Sequence, residues 1–327
     1  MPIPPSEYVS NVWRPDIFKG KVVFATGGNG SICSAQVRAL VHLGADAAIV
    51  GRNTEKTEAV AIDLATARPG SRVLGIGGVD VRDVASLQRA VDRTVKELGG
   101  IDFLIAGAAG NFLAPIAGLS TNAFSRVIEI DLLGSYNTTK VVLPHLLESV
   151  KKHNSPGALP RDTSNPAAGG PGGRIIYISA TLHYSGTPLQ THAAAAKAGV
   201  DALSANVALE YGPFGITSNV IAPGPIGGTE GMDRLSGLAD SDRKNAAPAK
   251  VVPLGRWGKV KEIADATVYL FSDTGNYVSG QVTVVDGSAW RVTGIIGGPD
   301  FRYPDFLLEG GTQVTGVRGA KNSGAKL

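Results

Sequence analysis

The chain of 327 residues has one cysteine, Cys33. A lone cysteine forms no internal disulfide and excludes a cysteine-based metal cluster, so a reducing compartment and no metal site are expected. Charge is also scarce, with 18% charged residues and a net charge of +3. No Lys/Arg block marks a groove-tracking patch, so no nucleic-acid partner is expected. No apolar run approaches the roughly 18 residues of a membrane span. Met1-Pro2-Ile3-Pro4-Pro5 lacks the basic and apolar regions of a secretory signal. What is plentiful is glycine, 43 residues, which with abundant alanine suits close packing of helices on a sheet. The length is ample for one large core with appendages.

Continuous apolar runs alternate with amphipathic stretches, the pattern of a parallel sheet covered on both faces. Strands are expected at Lys21–Thr26, Ala47–Val50, Arg72–Ile76, Ile101–Ala106, Arg174–Ala180, Ile216–Ile221 and Gln281–Val285. Val84, Leu87, Val91, Val95 and Leu98 recur at helical spacing, as do Ala196, Val200, Leu203, Val207 and Tyr211. The expected architecture is a single doubly wound α/β domain of Rossmann type, with seven parallel strands, over residues 20–290. A polar, Pro-containing N-terminal arm (1–19), an exposed mobile loop (151–173) and an irregular tail (291–327) lie outside the alternation.

The first strand runs into Thr26-Gly27-Gly28-Asn29-Gly30-Ser31-Ile32-Cys33. Glycines there let the backbone turn tightly and approach a pyrophosphate, which then rests on the next helix N-terminus. The second strand ends at Val50-Gly51-Arg52-Asn53, without the carboxylate that would bind the ribose hydroxyls of NAD. Arg52 can instead pair with a 2′-phosphate, which favours NADPH. Small residues, Ala106-Gly107-Ala108-Ala109-Gly110, end the fourth strand and suit close passage of a cofactor.

With Lys197 in a helix after the fifth strand, these segments resemble the short-chain dehydrogenase/reductase superfamily. The resemblance implies that Asp80-Val81 holds the adenine, that Pro223-Gly224-Pro225-Ile226 holds the nicotinamide amide, and that Lys197 binds the nicotinamide ribose. The superfamily has glycines at the places of Ser31 and Cys33, so their Cβ atoms are expected to push the helix outward or narrow the phosphate site. Its catalytic Tyr, Ser and Asn are replaced by Ala193, Ala180 and Asp131. Ser179 is adjacent but should face the other side of its strand. Either the site has decayed, leaving a non-catalytic NADP(H)-binding scaffold, or the reaction needs no tyrosine. A polar set around the gap (Asn111, Asp131, His183, Tyr184, His192, Lys197) favours the second. Each histidine taken singly is more often structural. Asp131, between apolar neighbours, needs a partner.

Ala109-Gly110-Asn111-Phe112, Asp131, Ala180 to Tyr184, His192 to Gly199 and Pro223 to Leu235, including Thr229, are similar to peroxisomal 2,4-dienoyl-CoA reductases, of fungal type from Gly30 to Cys33. The similarity implies NADPH-dependent reduction of a 2,4-dienoyl-CoA to a 3-enoyl-CoA in β-oxidation of unsaturated fatty acids. Hydride would go to the δ carbon, and a water polarised by Asp131, with Lys197 as a relay, would protonate Cα. Asn111 would donate to the thioester oxygen and Phe112 would wall the acyl slot. Arg82 and Arg234 would meet the phosphates of CoA. Ser120, Thr121 and Asn122 would line the entrance, or equally form a helix N-cap. Gly227 to Leu238 would form a lid. Reduction of a 3-ketoacyl-CoA is the alternative reaction and lacks its usual acid. Ala325-Lys326-Leu327 resembles a peroxisomal address read by an import receptor. Family habit and the Ala-rich Lys197 helix suggest a homodimer or homotetramer.

Overall fold

The computed structural model describes residues 3–154, 157–162, 164, 170–235 and 252–293. Seven strands form one parallel sheet: β1 (Val22–Thr26), β2 (Asp46–Val50), β3 (Val73–Ile76), β4 (Phe103–Ala106), β5 (Arg174–Ile178), β6 (Thr217–Pro223) and β7 (Val282–Val285). Their order is β3-β2-β1-β4-β5-β6-β7, all neighbours parallel. The order reverses between β1 and β4, and the strand ends there open the crevice where such sheets bind ligands.

Period-two alternation divides each strand between two cores. Val23, Ala25, Phe103 and Ile105 face α1 (Ser31–His42) and a later helix at Val260–Phe271. Val22, Phe24, Leu104 and Ala106 face the helices at Val84–Leu98, Gly134–His153 and Thr191–Tyr211. In chain order the helices after α1 are α2 (Thr54–Ala65), α3 (Val84–Leu98), α4 (Thr121–Val127), α5 (Gly134–His153), α6 (Leu182–Ser185), α7 (Thr191–Tyr211), α8 (Glu230–Leu235), α9 (Val260–Phe271) and α10 (Ala289–Thr293). The spacing that predicted α3 is visible in its burial: Leu87, Ala90, Val91 and Leu98 are buried. The Asp83 carboxylate accepts the Ala85 N–H at 2.9 Å to start it, and Gly99, at φ +93°, ends it.

The N-terminal arm packs on the domain: Tyr8, Val9 and Phe18 are buried, and Asp265 on α9 accepts from Ser10 and from the Trp13 indole. Two expectations need adjustment. The segment expected to be a loop from Lys151 begins as helix, because α5 continues to His153. The tail likewise starts helical, in α10; residues 294–327, including the C-terminal tripeptide, lie outside the described residues.

Candidate active site

The glycine-rich turn is fixed by contact. Gly27 has φ +66°, and a Cβ on it would come within 2.6 Å of the Gly107 carbonyl oxygen. Gly28 has the same difficulty with Ile49, also at 2.6 Å. The turn closes with Gly30 N–H donating to Gly27 O at 2.9 Å, and Gly30 becomes the N-cap of α1. Thr26 Oγ1 accepts from Gly107 N and Ala108 N, which ties the ends of β1 and β4 together across the crevice.

The two departures from the glycine pattern, Cys33 and Ser31, each make a specific contact. Cys33 is buried, and its Sγ fills the space a Cβ on Gly107 would need, only 2.3 Å from that position. It packs into the α1-side core against the Gly107 carbonyl. Burial pushes its thiol up to about 12, so it is a packing group and not a nucleophile. Ser31 Oγ accepts the Glu230 N–H at 3.4 Å and joins the turn to the start of α8. Ile32 packs, half-buried, against the α1-side core.

A cavity of about 120 Å³ lies beside the turn, lined by Gly27, Asn29, Val50, Gly51, Arg52, Val79, Asp80, Val81, Ala108, Ala109 and Ile130. Asn29 is anchored by its amide to Thr57 Oγ1 at 2.9 Å, and Val81 O accepts from Asn137 at 3.0 Å. Arg52 is exposed on the rim and has no ion pair among the described residues. Asp80 is held by Arg82, which donates through Nε at 2.9 Å and Nη2 at 2.5 Å. Those bonds bring the carboxyl down to about 2. On the opposite lip, Gly224 N–H donates to Val285 O, and a Cβ on Gly224 would strike Asp286 at 2.3 Å. Pro223 ends β6, Ile226 is buried, and Thr229 Oγ1 donates to Ile226 O at 2.8 Å.

Asp131 lies in a π-helical turn, Ile128–Leu133, between α4 and α5. Such a turn carries one extra residue and is frequent at functional sites. Gly134 lets it sit against Val81, and Gly199 on α7 admits Leu132, whose Cδ2 would be 2.7 Å from a Cβ there. The small residues of α7 therefore let its backbone come close enough for Lys197 to reach Asp131, Nζ to Oδ2 3.1 Å. Asp131 is 1% exposed, and its Oδ1 accepts from Gly110 N at 2.7 Å. Lys197 Nζ also donates to Ile178 O at 2.9 Å. A buried carboxylate with one cation and one peptide donor retains acceptor capacity. Ala193 and Ala180 leave no hydroxyl at the flanking positions, and Ser179 Oγ turns to the Lys197 carbonyl instead.

Of the polar set expected around the gap, Asn111, Asp131, His192 and Lys197 come together. Asn111 Nδ2 donates to Gln190 Oε1 at 2.6 Å, and its Oδ1 accepts from Phe112 N. Phe112 stacks on the His192 ring at 4.2 Å. His192 is fully buried, and neither ring nitrogen makes a hydrogen bond among the described residues. Burial holds its pKa below the ordinary imidazole value, against opposing pulls from the Phe112 peptide and Asp131. His183 and Tyr184 form a separate group: His183 Nε2 meets Asp201 Oδ2 at 2.8 Å, and Tyr184 packs edge-on against Trp290. Burial and Asp201 push the Tyr184 phenol up to about 12. Ser120 is the N-cap of α4, accepting from Ala123 N at 3.2 Å, with Thr121 and Asn122 exposed beside it. The side chain of Arg234 and the lid beyond Leu235 lie outside the described residues. Gln190 and Glu129 were missed by sequence reasoning; nothing in their spacing signals a role.

A crevice with a glycine cradle beside a buried lysine–aspartate pair is the form of a nucleotide-dependent oxidoreductase site. The short chain dehydrogenase profile matches residues 21–157 and the Enoyl-(Acyl carrier protein) reductase profile matches residues 161–288. The chain belongs to the short-chain dehydrogenase/reductase family. It is 48% identical to the peroxisomal 2,4-dienoyl-CoA reductase, (3E)-enoyl-CoA-producing, of Saccharomyces cerevisiae, over 91% of this chain and 92% of that one. It is 41% identical to the Danio rerio protein of the same description, over 86% and 85%. A short chain dehydrogenase from Bacillus anthracis superimposes with TM-score 0.66 at 31% identity, over 83% of this chain and 97% of that one.

Proposed function

We propose that the protein is a peroxisomal 2,4-dienoyl-CoA reductase that uses NADPH and forms a 3-enoyl-CoA. The observation that carries the reading is the buried Asp131–Lys197 pair, 3.1 Å apart, beside Ala193 and Ala180 where a carbonyl reductase needs hydroxyls. Reduction of a conjugated diene places no alkoxide in the site and so needs no phenol. It needs donors for a thioester oxygen that gathers charge and a proton for Cα. The relatives' names agree in substrate, product and organelle.

The nicotinamide cofactor, when bound, supplies the hydride to the δ carbon. The chain's own residues supply the rest. Gly27, Gly28, Asn29, Gly30, Ser31 and Ile32 shape the pyrophosphate turn, and the missing Cβ atoms of its three glycines fit that group. Arg52, free on the rim, meets the 2′-phosphate. Asp80, Val81, Ala106, Gly107 and Ala108 line the nucleotide crevice, and Pro223, Gly224, Ile226 and Thr229 form its nicotinamide lip. Lys197 positions the ribose. Asp131 holds the water that gives its proton to Cα, and the hydroxide left behind takes a proton relayed through the Lys197 ammonium, which solvent then restores. Asn111 keeps one amide hydrogen beyond its bond to Gln190, and this donates to the thioester oxygen. Phe112 walls the acyl slot. Arg82, Ser120, Thr121 and Asn122 bind the CoA portion, and Arg234 is assigned to it as well. Recognition of Ala325-Lys326-Leu327 by the import receptor and self-association through the outer face of α7, where Leu209 is exposed, complete the proposal. Light scattering of the purified protein checks the latter.

Loss of NADPH absorbance on adding a dienoyl-CoA, with a 3-enoyl-CoA formed, is the expected result. Turnover of a 3-ketoacyl-CoA alone would make the protein a carbonyl reductase. Binding of NADPH without turnover of any acyl-CoA would make it a scaffold.

A further inference from the structure

Two charged side chains, Arg126 and Glu129, are not accounted for by the reaction, and Glu129 pairs with both Arg126 and Arg82, the residue assigned above to the CoA portion. Arg82 is locked in orientation, because Nε and Nη2 are both committed to Asp80. Its remaining terminal nitrogen, Nη1, points to Glu129 Oε2 at 3.7 Å. Arg126, in the last turn of α4, sends its own Nη1 toward the same Glu129 oxygen at 3.9 Å. One anionic oxygen thus lies between two guanidinium groups, at ion-pair distance from each. Glu129 itself is half-exposed and two residues from Asp131, on the same π-turn.

An ordinary helix-surface pair of Arg126 with Glu129 needs only those two residues. Here the second arginine comes from the loop after β3 and cannot turn away, since Asp80 holds it. Two guanidinium groups converging on one oxygen, open to solvent, are matched to a phosphate group, which offers several oxygens and more charge than a carboxylate. The seat lies beside Asn122, one helical turn before Arg126 and on the same face of α4.

We infer that Arg126 is a further substrate-binding residue, closing with Arg82 on a phosphate of the CoA thioester, and that Glu129 is an internal competitor for that seat. The inference rests on the dienoyl-CoA reading and predicts opposite effects from neighbouring residues. Glu129 occupies the seat in the free protein and must yield when the thioester enters. Removing Arg126 weakens the substrate, whereas neutralising Glu129 strengthens it.

The test is steady-state kinetics of the full chain with three thioesters: dienoyl-CoA, dienoyl-dephospho-CoA and dienoyl-pantetheine. Arg126→Ala should raise KM for dienoyl-CoA about 5- to 20-fold with kcat within about twofold, the effect of losing one exposed charge-assisted contact. Glu129→Gln should lower the same KM about two- to threefold. Neither should alter KM for dienoyl-pantetheine, which carries no phosphate, nor KM for NADPH. An effect absent with the dephospho substrate assigns the seat to the 3′-phosphate; an effect retained assigns it to the diphosphate. Equal losses with dienoyl-pantetheine, a raised KM for NADPH instead, or no change in Arg126→Ala would overturn the inference. If the wild type turns over no dienoyl thioester, the functional reading fails separately. Calorimetry with adenosine 3′,5′-bisphosphate and with inorganic pyrophosphate then decides the seat, which is lost if Arg126→Ala binds both as well as the wild type does.

Discussion

Two buried aspartates stand at opposite ends of the sheet, and they are used differently. Asp102, before β4, accepts from Val22 N at 2.7 Å and Ser149 Oγ at 2.5 Å, and lies 3.1 Å from His153 Nε2. Its partners belong to β1 and α5, so it joins elements that must not move. Asp131, at the strand ends that open the crevice, has one peptide donor and one lysine. Both are nearly inaccessible, at 5% and 1%. Burial alone therefore does not set Asp131 apart; unspent acceptor capacity beside a crevice does, and it supports the role proposed for it.

The most severe test of the contrast exchanges the two. Asp131→Ala should cut kcat for a dienoyl-CoA by about 10²–10⁴-fold, as expected for a lost proton route, while urea midpoints show a folded protein. Lys197→Ala should be as inactive and less stable, because it leaves Asp131 buried without its cation. Asp102→Asn should do the reverse. Stability should fall by about 3–5 kcal/mol as the buried network breaks, with kcat of the folded fraction unchanged. Full activity in Asp131→Ala would sink the proton route, and an inactive but stable Asp102→Asn would erase the distinction between the two ends.

Arg52 sharpens the comparison at the rim. Arg52→Ala should raise KM for NADPH about 10-fold or more, the worth of one charge-assisted bond, and leave KM for NADH alone. A parallel rise for both cofactors would argue against the 2′-phosphate assignment.

His192 gives a smaller effect, with a sign fixed by titration. In the folded protein burial favours the neutral ring, whereas in the unfolded chain the ring gains a proton below its ordinary 6.5. The unfolded state then binds more protons, so this contribution to stability is lost as pH falls beneath 6.5. His192→Phe removes that acid-side loss and a buried, poorly satisfied imidazole, and should be more stable by about 1–3 kcal/mol at pH 5.5. Thermal melts at pH 7.5 and 5.5 measure it; equal slopes in both proteins would remove the argument. Tyr184→Phe should change least, within about threefold in kcat, since its phenol is a poor proton donor near neutrality.

The frame of this domain was readable because its rules are local and periodic. All seven strands fall within a few residues of their expected places, and α3 runs from Val84 to Leu98 as its spacing indicates. Asp131 stood out because a carboxylate among Ile128, Ile130, Leu132 and Leu133 demands a partner. What was hidden depends on where chain segments meet. Ala114 N–H bonds Leu189 O, and this link brings Asn111 to Gln190 and Phe112 to His192. Leu189 has φ +68°, a turn that no composition signal announces for leucine. Arg82 could be seen as a cation near the cofactor loop, but not as one already clasped by Asp80 two residues earlier. The helical start of the Lys151 segment was masked by the glycines and prolines that follow it.

The contact between Cys33 and Gly107 has a historical consequence. The sulfur of one residue occupies the volume that any side chain at the other would claim. A lineage carrying cysteine at 33 cannot accept even alanine at 107 without first shrinking its partner. A lineage with glycine at 33 leaves a Cβ at 107 only the 3.3 Å approaches to Ile178 and Thr26 O to absorb, and once that Cβ is in place the cysteine cannot return. The order of two substitutions, rather than either one alone, decides which form of the nucleotide turn a descendant can inherit.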